Sequence, residues 1–198
     1  PGLGPELVRR LGRVLPPDVV VRAASEVGPD FDARFSAVWR RYAFRLADAP
    51  VDPLHRGLVV RVRRPLDIAA LDAAARTLVG LHDFAAFCKA RPEATTIRRV
   101  LDAGAHRLAS GELAGVVEVG LRADAFCHSM VRSLVGALVA VGTGEREPAW
   151  LARHLDRTTR AHDVTVLPPH GLVLEEVGYP DPSGLAARQA ESRARRTL

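Results

Sequence analysis

The sequence predicts an α+β fold, an antiparallel sheet with helices packed on one face. Three observations carry that prediction. Polar and apolar residues alternate in WRRYAFRL (39–46) and in LVVRVRR (58–64), the period of half-buried strands, and a Ser110–Gly111 turn separates two further strands. Apolar residues after Pro65 recur at helical spacing instead. The stretch DAFCHSMVRSLVGALVAVGTG (124–144) is small, apolar and too short to span a bilayer, so it reads as a buried helix. Strands joined mainly by hairpins, with helices inserted between them, build a sheet covered on one side.

In chain order, Leu7, Val8, Leu11 and Leu15 give Pro5–Leu15 a helical face, and Pro16–Pro17–Asp18 stops it before a strand expected at Val19–Ala24. Strands at Trp39–Leu46 and Leu58–Arg64 follow, joined across Pro50–Pro53. Pro65 opens an amphipathic helix with Leu66, Ile68, Leu71, Ala74, Ala75 and Leu78 inward, closed by Gly80. The segment LHDFAAFCKA is expected as a loop. Ile97–Arg107 and Gly115–Arg122 form the next strand pair, and the helix of 124–144 comes after them. A shorter helix begins near Pro148, with Trp150, Leu151, His154 and Leu155 on one face. Leu172–Val177 reads as a last strand, and the Arg-rich tail Leu185–Leu198 as helical or disordered.

With 198 residues, 47% of them hydrophobic, the chain can fill a real core, as one large domain or two small ones, and no low-complexity linker divides it. A net charge of +5 favours a polyanionic partner, nucleic acid being the commonest. Only Lys89 among the 28 basic residues is a lysine, a composition bias that makes the placement of arginines, not their number, the informative quantity. Cys88 and Cys127 lie far apart without a CxxC pair, which argues against a zinc site and against a disulfide framework and favours a reducing, cytoplasmic setting. No signal peptide or membrane span is visible. A chain that opens on Pro1 and whose only methionine is Met130 is expected to have lost residues upstream.

One residue in the apolar helix asks for a chemical reason. Arg132 is the only formally charged residue between Asp124 and Glu145, and Met130, Leu134, Val135, Leu138 and Val141 surround it on a helix. A buried unpaired charge costs several kcal/mol, so such an arginine meets a carboxylate or a ligand anion, or else snorkels to water. Asp83, Glu118 and Asp124 are the internal candidates. His128 reads as an ordinary helix residue, and His154, His162 and His170 straddle Pro168–Pro169 and make no metal constellation.

The runs GLHDFAAFCKA, IRRV, ADAFCHSMVRSLVGALVAVGTG, the helix at Pro148–Leu155, Asp156–Arg157 and PPHGLVLEEVGYP resemble, in order and spacing, the tRNA pseudouridine synthase A (TruA-type) family. Upstream, LPPDVVV and FDARFSAVWRRYAFRL fit the same pattern, so the resemblance covers about residues 5–182. It implies ferredoxin-like half-domains, with 1–38 ending the N-terminal half of the catalytic fold, 39–182 forming the C-terminal half and 183–198 an Arg-rich tail. It also implies isomerisation of uridines on the 3′ side of the tRNA anticodon stem-loop, with no cofactor and no metal, by a cytoplasmic homodimer. Arg132 falls on the family's active-site arginine, which pairs with the catalytic aspartate. Tyr42 matches the tyrosine that stacks on the target base, and Leu172 the apolar residue on the base's other side. Val166, Leu167 and His170 depart from the small residues usual before that Gly-Leu. Arg34, Arg40 and Arg41 are expected to contact RNA, with Arg61, Arg63 and Arg64 as further basic strand residues; a solvated basic face is the alternative. The family's GRTDxGVHA-type motif does not occur in these residues, so the chain by itself is expected to be inactive. Two other readings remain open: an RNA-binding remnant without catalysis, and a basic α+β interaction module.

Overall fold

The computed structural model describes residues 3–89, 91, 94–185 and 187–189. Its centre is β1 (Trp39–Ala47), which pairs antiparallel with β5 (Val117–Ala123) on one side. On the other side it pairs antiparallel with β6 (Leu172–Gly178) and, at Leu46 and Ala47, parallel with the two-residue β2 (Val60–Arg61). β4 (Ile97–Arg107) continues the sheet beyond β5, and β3 (Gly80–Asp83) ends it.

The alternation seen in the sequence becomes two unlike faces. Val117, Val119, Leu121 and Ala123 of β5 are buried, and Val117 and Val119 stand opposite Leu46 and Phe44 of β1, both with no exposed surface. This face is covered by α2 (Ile68–Arg76), α3 (Met130–Gly142) and α4 (Pro148–Leu155), which with it form one continuous core. The other face is polar. There Arg41 pairs with Glu175 and Glu176 at 2.7 and 3.0 Å, and Arg45 with Glu118 at 3.1 Å. Asp67 starts α2 by accepting the Ala70 amide at 3.0 Å, a side-chain cap that the sequence places just after Pro65.

Several expectations need correction. Val19–Ala24 is irregular, and no described strand pairs with it. The strand expected over Leu58–Arg64 shrinks to Val60–Arg61 and runs parallel to β1, so the sheet is mixed. The α2 helix spans Ile68–Arg76, inside the expected limits, and Gly80, expected to close it, instead enters at φ +130° an edge strand, β3, that takes the first three residues of the expected loop, 81–83. The helix α1 (Leu3–Val14) forms as its spacing predicts, but it buries no residue among those described. Most of the Arg-rich tail lies outside the described residues; within them Leu185 is buried, and Arg188 donates from Nε and Nη2 to the Ala37 carbonyl at 3.2 and 3.1 Å. Cys88 and Cys127, expected to stand apart, are joined as a disulfide with Cα atoms 5.8 Å apart.

Candidate functional site

A cavity of about 400 Å³ opens where the helix-covered face of β1 runs out of core. Tyr42 from β1, Leu172 from the start of β6 and Arg132 from the first turn of α3 all line it, together with Phe126 and Met130. Register explains the first two. Phe44 pairs with Leu172 and Tyr42 with Leu174, so Tyr42 and Leu172 are diagonal neighbours across two strands. Tyr42 is half-buried, and the ring of Phe126 meets it edge-on, centroids 5.1 Å apart at 88°.

Arg132 reaches the cavity through a local backbone device. Ser129 precedes α3 in the left-handed region, φ 68°, and turns the incoming loop into the helix. The Arg132 Nε then donates to the Leu167 carbonyl at 2.5 Å, while the Leu167 amide donates to the Arg132 carbonyl at 3.3 Å. Segment 163–167 therefore lies directly on α3. Only a glycine at 136 allows that approach, because a methyl group there would overlap the Thr165 carbonyl. The far end of the segment is fixed by Asp163, which accepts from Trp150 Nε1 and from His154 Nε2, both at 3.0 Å. The His154 hydrogen bond is the first cause that brings the Asp163 carboxyl down to about 2.

None of the internal carboxylates proposed for Arg132 takes that role. Asp83 accepts from Thr96 and the Ala85 amide, Glu118 pairs with Arg45, and Asp124 accepts the Arg99 amide at 3.1 Å. Among the described residues no carboxylate pairs with Arg132, and its guanidinium is presented to the cavity. Arg34 stands on the rim with Lys89, Arg91 and Arg98. Arg40 and Arg41 do not join them. Arg40 is turned onto backbone, donating to the Asp124 carbonyl at 2.8 Å and the Arg34 carbonyl at 2.6 Å, and burial pulls its pKa down. Arg41 lies on the opposite face with Glu175 and Glu176. Arg61 and Arg63 border a separate depression with Asp48, and Arg64 pairs with Glu145 at 3.2 Å.

The sequence reading passed over Phe126, Lys89, Arg91 and the clasp of Trp150, His154 and Asp163. Its one available signal was the i, i+4 pairing of Trp150 with His154 on a helix face. Among the described residues no group of three His, Cys, Asp or Glu could hold a metal ion, and no helix is long and apolar enough to cross a membrane.

An open cavity with an aromatic ring, an apolar side chain, an arginine with no carboxylate partner among the described residues and a basic rim suits a planar base held beside phosphates. Comparison with known proteins gives the family. The family profile described as tRNA pseudouridine synthase matches residues 74–180. The tRNA pseudouridine synthase A of Cutibacterium acnes is 55% identical over 193 residues, 96% of this chain and 68% of that protein. The chain belongs to the tRNA pseudouridine synthase family. The protein of the same name from Streptomyces griseus is 50% identical over 195 residues, 98% of this chain and 68% of its own length. The one from Corynebacterium glutamicum is 43% identical over 191 residues, 96% of this chain and 66% of its own. The chain thus spans about two thirds of these synthases, and the family profile covers β3, β4, β5, α3, α4 and all of β6, among them the elements that carry Arg132 and Leu172.

Proposed function

We propose that the cavity receives a uridine of the tRNA anticodon stem-loop and takes part in its conversion to pseudouridine. The observation that carries this reading is Arg132, a guanidinium facing a cavity between Tyr42 and Leu172 with no carboxylate of its own among the described residues. Pseudouridine formation breaks the N-glycosidic bond and rejoins the base through C5. Neither an arginine nor a tyrosine supplies the carboxylate that attacks or deprotonates at the sugar, and a catalytic aspartate must come from elsewhere. Arg132 is suited to hold that aspartate ionised and aimed, since a guanidinium pairs with a carboxylate through two parallel donors. Tyr42 stacks on the base, Phe126 buttresses the ring from the side, and Leu172 packs on the base's other face.

The rim supplies the phosphate contacts. Arg34, Lys89 and Arg91 line the cavity mouth, and Arg40 acts by holding the Arg34 carbonyl and so the turn on which Arg34 stands. Arg41 belongs to the polar sheet face and contributes to RNA binding only at a distance. The working form is a cytoplasmic homodimer whose second subunit extends the basic surface.

The test is formation of pseudouridine in unmodified tRNA. The 198-residue chain alone should leave every uridine unchanged while binding the anticodon stem-loop. An extended protein that carries an aspartate motif of the GRTD type ahead of these residues should modify uridines on the 3′ side of the stem-loop, and Arg132→Ala should abolish that. Turnover by the short chain would overturn the role given to an external aspartate and to Arg132 as its partner.

A further inference from the structure

Cys88 ends the turn Ala85–Phe87 that follows β3, and Cys127 lies in the loop between β5 and α3. They are the only two cysteines, 39 residues apart in the chain, yet their Cα atoms are 5.8 Å apart, a span that a disulfide bridges without backbone movement. Each sits beside residues of the cavity. Lys89 follows Cys88, Phe126 and His128 flank Cys127, and all three line the cavity, as Cys127 itself does. The Lys89 amide also donates to the His128 carbonyl at 3.0 Å, so the two loops already touch. Cys88 is buried at 1% exposure, whereas Cys127 is partly exposed.

We propose that Cys88 and Cys127 are a reversible oxidation site, a dithiol–disulfide couple whose oxidised form locks the Lys89 and His128 loops into one rim that holds RNA more tightly. The RNA half of this proposal rests on the tRNA reading above. Arg34, Lys89, Arg91 and Arg98 make the cavity electropositive, the setting in which cysteines react, and a small hydroperoxide that enters it meets Cys127 first. The Cys127 thiol attacks one peroxide oxygen, the O–O bond breaks, one water leaves and a sulfenic acid forms. Cys88 then attacks the Cys127 sulfur, the S–S bond forms and a second water leaves. Two thiols have given up two electrons and two protons, and one hydrogen peroxide has become two waters. A dithiol reductant reverses the step by thiol–disulfide exchange. Cross-linking orders the rim before RNA arrives, so less freedom is lost on binding.

The experiment starts from the 198-residue chain reduced with dithiothreitol, freed of it under argon, and divided; one half receives one equivalent of hydrogen peroxide. Maleimide labelling in urea, which exposes the buried Cys88, followed by intact mass should give two adducts on the reduced chain and none on the oxidised one, with only monomer on a non-reducing gel. Fluorescence anisotropy with an anticodon stem-loop RNA should give a Kd about threefold or more lower for the oxidised chain. Dithiothreitol should erase that difference, and Cys88→Ser or Cys127→Ser should never show it. Two adducts persisting after peroxide, a disulfide-linked dimer, or equal Kd values in the two states would overturn the proposal. If neither state binds RNA, the tRNA reading and the RNA half fall together, while the adduct count alone still decides whether the couple exists.

Discussion

Replacing Gly136 by alanine tests whether the segment crossing α3 holds Arg132 in place. A β-carbon at 136 would overlap the Thr165 carbonyl, so the segment would have to retreat by about 1.5 Å to reach ordinary contact. That retreat is resisted at both ends, by the Asp163 clasp to Trp150 and His154 and by the paired hydrogen bonds of Leu167 with Arg132. Overpacking of this kind costs about 1–3 kcal/mol, and losing the charged Arg132–Leu167 hydrogen bond adds about 1.5–3 kcal/mol if the strain breaks it. Alanine is otherwise the better helix former, by about 1 kcal/mol, so the helix alone predicts stabilisation. Urea unfolding of the Gly136→Ala chain should show a loss of about 1–4 kcal/mol with the denaturant slope unchanged. Stem-loop affinity should fall as well, because Arg132 loses its anchor. Equal or greater stability with unchanged affinity would refute the close approach of segment 163–167 and its hold on Arg132.

Three further outcomes follow from the same geometry. Binding to the anticodon stem-loop should weaken steeply with salt, each phosphate contact adding about 0.7 to the logarithmic slope, and Arg34→Ala should lower that slope; a flat titration would count against RNA at this rim. Tyr42→Ala should weaken RNA binding by about 1–3 kcal/mol with little change in unfolding midpoint, whereas Tyr42→Phe should keep the stack; wild-type affinity for the alanine variant would make Tyr42 mere packing. Asp48 accepts from Arg107 at 2.8 and 2.9 Å and from the Leu66 amide at 2.9 Å, and the Arg107 hydrogen bond foremost holds its carboxyl at about 2. Because the folded value is depressed, the stabilisation is complete above the ordinary value of 3.8 and is lost as pH falls from about 4 through 2. Asp48→Asn should therefore cost about 1–2 kcal/mol at pH 7 and progressively less as pH falls through 2, measured by denaturant unfolding across that range.

The elements that could be read from the sequence are those whose pattern is set by one face meeting the core. β5 alternates buried and half-buried without a break, and α3 is apolar nearly all round, so both are legible from spacing alone. What escaped depends on a distant partner. Val19–Ala24 has the β-branched residues of a strand, but a strand exists only by pairing, and no described strand lies beside it. Conversely, Gly80–Asp83 has no burial contrast and becomes a strand because β4 offers it an edge. The disulfide was missed for the same reason, since 39 residues of separation say nothing of two loops that meet at one cavity. At the site, alternation allowed only subsets of the strand arginines to share a face, and only tertiary contacts reveal that Arg40 is spent on backbone carbonyls and Arg41 on glutamates.

The cavity's position follows from where β1 changes company. From Phe44 to Ala47 the strand has only buried residues apart from Arg45, and α3 covers its apolar side. Two residues earlier the same face presents Tyr42, half-buried, because the chain between β5 and α3 stays an open loop until Ser129 turns it into the helix. The β1–β6 register shifts between Arg41 and Tyr42, at the point where the core gives way to the cavity. A bulge there re-aims the residues beyond it without disturbing the pairing of Phe44 with Leu172. Tyr42 and Leu172 are consequently fixed by strand pairing, and Arg132 by a helix that segment 163–167 pins from above. Three rigid supports converge on one opening. Lys89, Arg91 and Phe126, which also line the opening, stand on the loops that Cys88 and Cys127 tie together. On the proposed reading, the ring and guanidinium that would meet the base are thereby held by the fold, and the loop-borne rim residues are held to each other by the disulfide.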